Sequence, residues 1–550
     1  MKIASFNKIQ PLAFLLLVLF TSCKDKSESL TNKIPETAMA VGVINTSSIA
    51  QKVLFDKLGE ISITDALQGS QSADSGDEKP VETDDQKWKK ILKDPSEIGV
   101  DVLADAFVYF SNDYYQGRPA QIVALFKLSD VKELEAILDD NPPSDLKGET
   151  ESGKGYKFRY NKEKGMAFGW TDKILALCFA DKSAELNPTE ELKKVFTDKK
   201  NSSIASNEKM KQLMADAPDV GFYLNMKQLD EMIKSSDNSN LNLAMKDNWV
   251  SHVTGGMDFD DGEIQLSTTA YAMKGKEEAI AKLTEDVKLG ETLNMFYVDN
   301  ALGFTNLRFD VDNIRNLLMK DEMAKQQLAG FLMGMQMTED EFFSSMDGSL
   351  FIGATGMKTV KKEIITQEMD EEFNTYDVTK VVETSSPQIL LALGVDESKM
   401  KKMMLGMRKS GIIAEDGEYF RLNAALSMGN DAFASLQDNM LIISTEKETF
   451  TNSIDNGGWV NDMAIANPMS MYLNVDEAID AMGTEQKRQY GPLYENIKST
   501  IADATFTVEG EDGKLKSVFS LKFDDEDSNG LLQLIELIKK SEKMKKQLTM

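Results

Sequence analysis

The chain reads VTGGMDF at 253–259, then Asp261-Gly262, then IQLSTTAYA at 264–272. It reads ADATFTV at 502–508, then Asp512-Gly513, then LKSVFSLKF at 515–523. Each stretch is an alternating run, a two-residue turn and a second alternating run. Asp-Gly in that setting predicts a β-hairpin in which both turn residues take positive φ. In the second stretch Ala502, Ala504, Phe506 and Val508 share one side, and Asp503, Thr505 and Thr507 the other. One face is therefore expected to be buried and the other wet.

Working outward, other segments correspond in the same order. Phe158-Arg159-Tyr160-Asn161 matches Phe420-Arg421-Leu422-Asn423. Tyr223-Leu224-Asn225-Met226 matches Tyr472-Leu473-Asn474-Val475, and each runs into a helical pattern, 227–234 and 476–482. The strand at 121–128 matches that at 388–395; each ends in a polar cap, Ser129-Asp130 or Asp396, before a helix. Such side chains satisfy the free N–H groups of a first helical turn, and Asp130-x-x-Glu133 has the spacing of a capping box. The first strands, 41–44 and 307–309, also lead into capped segments. Repetition in one order, about 250–270 residues apart, reads as a tandem duplication.

The fold class expected is α+β: two tandem copies of a mostly antiparallel sheet module with helices covering one face. The modules run 34–292 and 293–550. The first carries an insertion at 68–87 rich in Ser, Asp, Glu and Gln, expected to be disordered. The second carries a projecting hairpin at 361–383, with strands at 361–369 and 376–383 around the acidic tip 370–374. Residues 530–548 form an amphipathic helix with Leu531, Leu534, Ile535 and Ile538 on one stripe.

The N-terminus sets the expected location. Lys2 and Lys8 precede nine unbroken apolar residues, 12–20. That is too short for a bilayer span, which needs about 20 residues, and fits a signal peptide occupying 1–22. Leu19-Phe20-Thr21-Ser22-Cys23 resembles a bacterial lipobox, which implies acylation of Cys23 and a lipidated tether over 23–33. Two or three acyl chains anchor firmly, at about 0.8 kcal/mol per buried CH₂. The net charge is −28, becoming about −30 without the two N-terminal lysines. Nucleic acid and anionic membrane surfaces repel such a chain, so membrane association is expected through the anchor alone. Cys178 is the one other cysteine, so with Cys23 acylated no internal disulfide forms.

The lipobox, the Ile34-Pro35 entry into a first strand, and the duplicated body together resemble the domain of unknown function 4836 family of Bacteroidota lipoproteins. The resemblance covers nearly the whole mature chain. It implies an envelope lipoprotein and no activity or functional residues; an outer-membrane location, on either the periplasmic or the surface-exposed face, is expected.

No residue pattern points to a catalytic centre. His252 is the single histidine, which excludes a His-rich metal site, and no Gly-x-Ser-x-Gly elbow accompanies it. Asp258, Asp260, Asp261 and Glu263 crowd one hairpin, and 524–527 form another acidic run. Oxygen clusters bind Ca²⁺, but neither has the EF-hand spacing, so solvated turns are expected. Met333, Met335 and Met337, and the group Met400, Met403, Met404 and Met407, suit soft-metal ligation in type. Their helical spacing favours core packing or a plastic groove. Gly353 and Gly356 lack the helix and Lys-Ser/Thr of a phosphate loop. No cofactor and no metal are expected. The functional expectation is a non-enzymatic binding or scaffolding lipoprotein whose protein or glycan partner the sequence does not name. Its site would be the cleft between modules. The alternatives are an envelope hydrolase working through paired carboxylates, and a chaperone-like holder of other envelope proteins using Met-rich grooves.

Overall fold

The computed structural model describes residues 30–52, 98–234, 249–283, 301–450 and 467–548, except 112, 116–117, 141–147, 164, 182–183, 185, 198–202, 336, 370–374, 424–431, 483 and 512. The signal-peptide and Cys23 readings, the 68–87 insertion and the 370–374 tip lie outside the described residues. Those described fall into two compact units: 30–47, 98–217 and 221–234; and 48–52, 218–220, 249–283, 301–450 and 467–548. None of the described helices is long and apolar enough to cross a membrane.

The first unit holds β1 (Ala40–Ile44), β2 (Ala106–Phe110), β3 (Tyr114–Tyr115), β4 (Arg118–Pro119), β5 (Gln121–Lys127), β6 (Glu151–Ser152), β7 (Lys157–Asn161), β8 (Met166–Trp170), β9 (Ile174–Ala180) and β10 (Val220–Asn225, from its second residue on). Antiparallel ladders run in the order β1-β2-β5-β9-β8-β7-β6, and β3 pairs with β4. The helices are α1 (Thr46–Lys52, of which 48–52 belong to the second unit), α2 (Val131–Asp140), α3 (Pro188–Thr197), α4 (Glu208–Asp216) and α5 (Met226–Lys234).

Helices cover both faces of this sheet, where the sequence predicted one. β9, ILALCFA, is apolar on both sides. Ala176 and Cys178 join a core with Leu192 and Val195 of α3 and Met210 and Leu213 of α4. Leu175 joins another core with Phe168, Trp170, and Leu134 and Leu138 of α2. A strand without polar alternation is buried on both faces. Buried Arg159 on β7 ties α2 down, donating to the Leu138 carbonyl at 2.6 Å and pairing with Asp139 at 2.8 Å. The guanidinium thus meets the negative end of the helix. Of the expected tether 23–33, residues 23–29 lie outside the described residues; Leu30–Lys33 is a 3-10 turn, and Leu30 is buried beside Ile34 in the core.

The second unit contains β11 (Val250–Asp260), β12 (Glu263–Ala272), β13 (Gly303–Arg308), β14 (Met346–Met369), β15 (Thr375–Val395), β16 (Ile413–Asp416), β17 (Tyr419–Leu422), β18 (Phe433–Gln437), β19 (Met440–Ser444), β20 (Met469–Asn474), β21 (Ile501–Glu511) and β22 (Lys514–Phe523). Its antiparallel order is β16-β17-β18-β19-β15-β14-β13-β20-β21-β22-β12-β11. The helices are α6 (Glu277–Leu283), α7 (Val311–Lys320), α8 (Glu322–Met335), α9 (Glu339–Phe343), α10 (Glu397–Lys409), α11 (Val475–Asp480), α12 (Thr484–Lys498) and α13 (Gly530–Leu548).

Both Asp-Gly segments join hairpin strands, β11 to β12 and β21 to β22. Gly262 takes φ 68°, but Asp261 is not a positive-φ residue. The turn is held from outside instead: Ser528 O accepts from Gly262 N, and Gly262 O accepts from Phe523 N. Among the described residues, two successive positive φ angles occur at Asp438-Asn439, 52° and 59°, between β18 and β19. The β11–β12 hairpin groups with the second unit because β12 pairs with β22, from Glu263 opposite Lys522 to Tyr271 opposite Lys514. β14 and β15 extend as a long hairpin to Met369 opposite Thr375, with Ile365 and Val381 exposed. Gly353 and Gly356 lie inside β14, where Gly356, at φ 152°, sits at a register shift.

Candidate functional site

β15 passes directly into α10 through Asp396, whose carboxylate accepts from Ser398 N at 3.0 Å and Lys399 N at 3.1 Å. The helix therefore folds back over the strand it follows. Met400, Met403, Met404 and Met407, spaced i, i+3, i+4 and i+7, lie on one helical face, and they pack against the sheet. α8 lies against α10 where Gly406 has no side chain; a Cβ there would overlap the Met335 carbonyl. Met335 and Met337 are buried, whereas Met333 is 80% exposed.

Between these helices and the strands is a cavity of about 250 Å³. Its walls include the four methionines of α10, Phe331 of α8, and Leu393, Ala434, Leu441 and Ile443 of the sheet, and every lining side chain is apolar. Met400, Met403 and Met404 are 1–6% exposed, yet the space beside them is unfilled. Among the described residues there is also a polar hollow of about 350 Å³ beside α13, walled by Ser499, Thr500, Asp524, Asp525, Gln533 and Lys540. Its Asp525 carboxylate accepts from Ser528 Oγ, and burial pushes the Asp524 carboxyl up from its ordinary value.

A row that is apolar except for Thr305 crosses the same sheet face and leads to the cavity wall. Phe519 lies opposite Phe506, Phe506 opposite Met471, Met471 opposite Thr305, Thr305 opposite Ile352, Ile352 opposite Leu391, and Leu391 opposite Ile443. Six strand spacings of about 4.8 Å make this row roughly 29 Å long. Phe519, Met471 and Ile352 are 37%, 45% and 37% exposed. In the adjacent row Leu473 and Ile389 are also exposed. β21 consequently lacks the predicted division into a buried and a wet face: residues 501–507 are half-buried throughout. The apolar side exists as a pattern, but in mid-sheet its side chains remain partly open.

The acidic hairpin is organised by two residues that the sequence did not single out. Asp219 is fully buried and accepts from Ser48 Oγ at 2.5 Å, Lys52 Nζ at 2.9 Å and Phe259 N at 2.7 Å. Lys52 also pairs with Asp260 at 2.9 Å. Burial disfavours the charged ammonium, but the bonds to Asp219 and Asp260 outweigh it and raise the Lys52 pKa. Asp258 accepts from Asp219 N at 3.3 Å, and burial pushes its carboxyl up. Asp261 bridges to Asn529, and Glu263 accepts from Ser520 Oγ. The carboxylates of Asp258, Asp260 and Glu263 thus have protein partners, while the Asp261 pairing is a backbone bridge, and among the described residues no group of three or more His, Cys, Asp or Glu is placed to hold a metal. His252 lies opposite Tyr271 on β12. Cys178 is buried, and its thiol is pushed up to about 12 by burial, with Glu191 adding to it.

The α10 methionines were legible as a stripe. The sheet residues of the cavity were not, because they come from strands far apart in sequence. The profile of the domain of unknown function 4836 matches residues 30–529. The chain belongs to that family. No curated protein matches it. Crystal form III of TP0453 is similar at 7% identity and TM-score 0.27, covering 47% of this chain and 88% of its own. Crystal form I is similar at 8% identity and TM-score 0.25, covering 45% and 80%.

Proposed function

We propose that this member of the family is a non-enzymatic binding protein, held to a cell envelope by lipid on Cys23, and that what it binds is apolar. The observation carrying this reading is the second-unit cavity: about 250 Å³ with no polar side chain in its wall. Such a wall offers no general acid, base or nucleophile, and it rewards a ligand by desolvation alone. Cys23 at the end of the 12–20 apolar run supports the anchor, and the net charge of −28 disfavours nucleic acid as a partner.

The body reads as two copies of one module. Supporting this, β1-β2-β5-β9-β8-β7-β6 and β13-β14-β15-β19-β18-β17-β16 are the same succession of antiparallel ladders. The exposed row from Ile352 to Phe519 favours a second reading, a holder of apolar segments of other envelope proteins.

The test uses the full chain carrying Cys23→Ala and titration with 1-N-phenylnaphthylamine, an uncharged apolar fluorophore. The expected result is saturable fluorescence enhancement. Absence of saturable binding overturns the apolar-binding reading. Suppression of client aggregation without probe binding moves the assignment to the second.

A further inference from the structure

We infer that the second-unit cavity receives one unbranched acyl chain, methyl end first, with the rest of the chain lying along the near end of the apolar row, over Leu391 and Ile352; this rests on the apolar-binding reading above. The first argument is hydrogen bonding. Every residue of a peptide brings a backbone N–H and, proline aside from the N–H, a C=O that must be satisfied. The cavity wall has no side-chain donor or acceptor. Leaving a buried polar group unpaired costs about 1–3 kcal/mol. Along the row the sheet offers nothing better: β13, β14, β15, β19, β20, β21 and β22 each have a partner strand on both sides. A peptide therefore has no free edge there on which to add a strand. A hydrocarbon chain makes no such demand.

Size and plasticity point the same way. An apolar cavity of roughly 150 Å³ is enough for benzene, and this one, at about 250 Å³, has room for more. The methionines of α10 are unbranched and flexible, suited to a wall that must follow a chain with many conformers. One acyl chain spans about half of a ~30 Å bilayer core, so beyond the cavity it covers the near end of the row, the roughly 10 Å from Ile443 through Leu391 to Ile352. No charged side chain lines the cavity, so the inserted end is the methyl, and a carboxylate or headgroup stays outside, where water solvates it.

The experiment measures displacement of 11-(dansylamino)undecanoic acid from the full Cys23→Ala chain by a saturated fatty-acid series from decanoate to palmitate. Parallel arms use palmitoyl-lysophosphatidylcholine and an uncharged leucine-rich peptide. Each added methylene is expected to tighten binding by up to about fourfold, the equivalent of ~0.8 kcal/mol. Met407→Trp, which fills the cavity from the half-buried end of the stripe, is expected to weaken palmitate about tenfold or more, and Ile352→Asp to weaken palmitate more than decanoate. Tighter binding of palmitate or of the lysophospholipid identifies free fatty acid or membrane lipid as the source, and either supports the inference. Displacement by the peptide but by neither acyl arm overturns the acyl assignment while leaving apolar binding intact. Acyl binding unchanged by both Met407→Trp and Ile352→Asp overturns the site. If neither phenylnaphthylamine nor any acyl chain binds, the underlying reading fails as well.

Discussion

Asp219 and Lys52 form a 2.9 Å ion pair in which the carboxylate is fully enclosed while the lysine side chain keeps 29% of its exposure. The asymmetry matters because the buried partner also receives Ser48 Oγ and Phe259 N. Removing Asp219 strands three donors; removing the outer partner, Asp260, strands none that is buried. Asp219→Ala is expected to cost about 3–5 kcal/mol in urea unfolding. Asp260→Ala, at a carboxylate that is 60% exposed, is expected to cost under about 1 kcal/mol. Equal losses would remove Asp219 from its organising role.

Asp258 gives a pH signature. Burial lifts its folded-state pKa above the ordinary 3.8. The folded chain then holds the proton more tightly than the unfolded chain, so this group's stabilisation is full below that value and is lost as pH rises through the folded pKa. Asp258→Asn should raise the melting temperature at pH 7 and change it little near pH 3. Thermal melts at the two values decide it; a destabilised variant at pH 7 would mean that the attraction of the charged carboxylate to Asp219 N–H and Lys52 outweighs the cost of burying it.

Cys178 should behave as an inert thiol. With its pKa pushed to about 12, almost no thiolate exists at pH 8. In the Cys23→Ala chain, Ellman's reagent is expected to label nothing in the folded state and one thiol after denaturation. Rapid labelling of folded protein would place Cys178 in an opening segment.

Gly406→Ala tests the contact between α8 and α10. The added methyl meets the Met335 carbonyl, a backbone atom that moves only with its helix. A loss of about 1–3 kcal/mol is expected from overpacking, with weakened binding of the apolar probe because the cavity wall shifts. Unaltered stability would show that the two helices separate freely.

The extended part of the β14–β15 hairpin should be dispensable for stability. Ile365 and Val381 are 70% and 61% exposed there, so little apolar surface is lost with it. Replacing 361–383 by a short turn is expected to shift the melting temperature by less than about 4 °C. A larger drop would give the hairpin a structural role.

Much of the local structure was legible in the sequence because its signals are local. Alternation placed the strands of both Asp-Gly hairpins. Asp396 marked a helix start and accepts from first-turn N–H groups, as does Asn474, which the sequence placed only at the end of a strand. The i, i+3, i+4, i+7 methionines were recognisable as one helical face. The Asp261 turn misled because its shape is set by Ser528 and Phe523, some 260 residues away. The stripe of α13 misled at one position: Leu531 and Leu534 pack against the sheet, but Ile538 is 48% exposed beyond it.

By itself, then, the sequence determined the two Asp-Gly hairpins, several of the strands and helices, the mixed helix and antiparallel-sheet class and the family. Periodicity, capping and turn chemistry act over a few residues, so they are written where they operate. Only the tertiary structure decided that β12 joins β22, that helices cover both faces of the first unit, that Asp219 is enclosed, and that the methionine stripe borders a cavity whose wall includes Ile443, the end of a half-open row. Those outcomes depend on which distant side chains exclude water from one another, and the residues that do so share no local pattern.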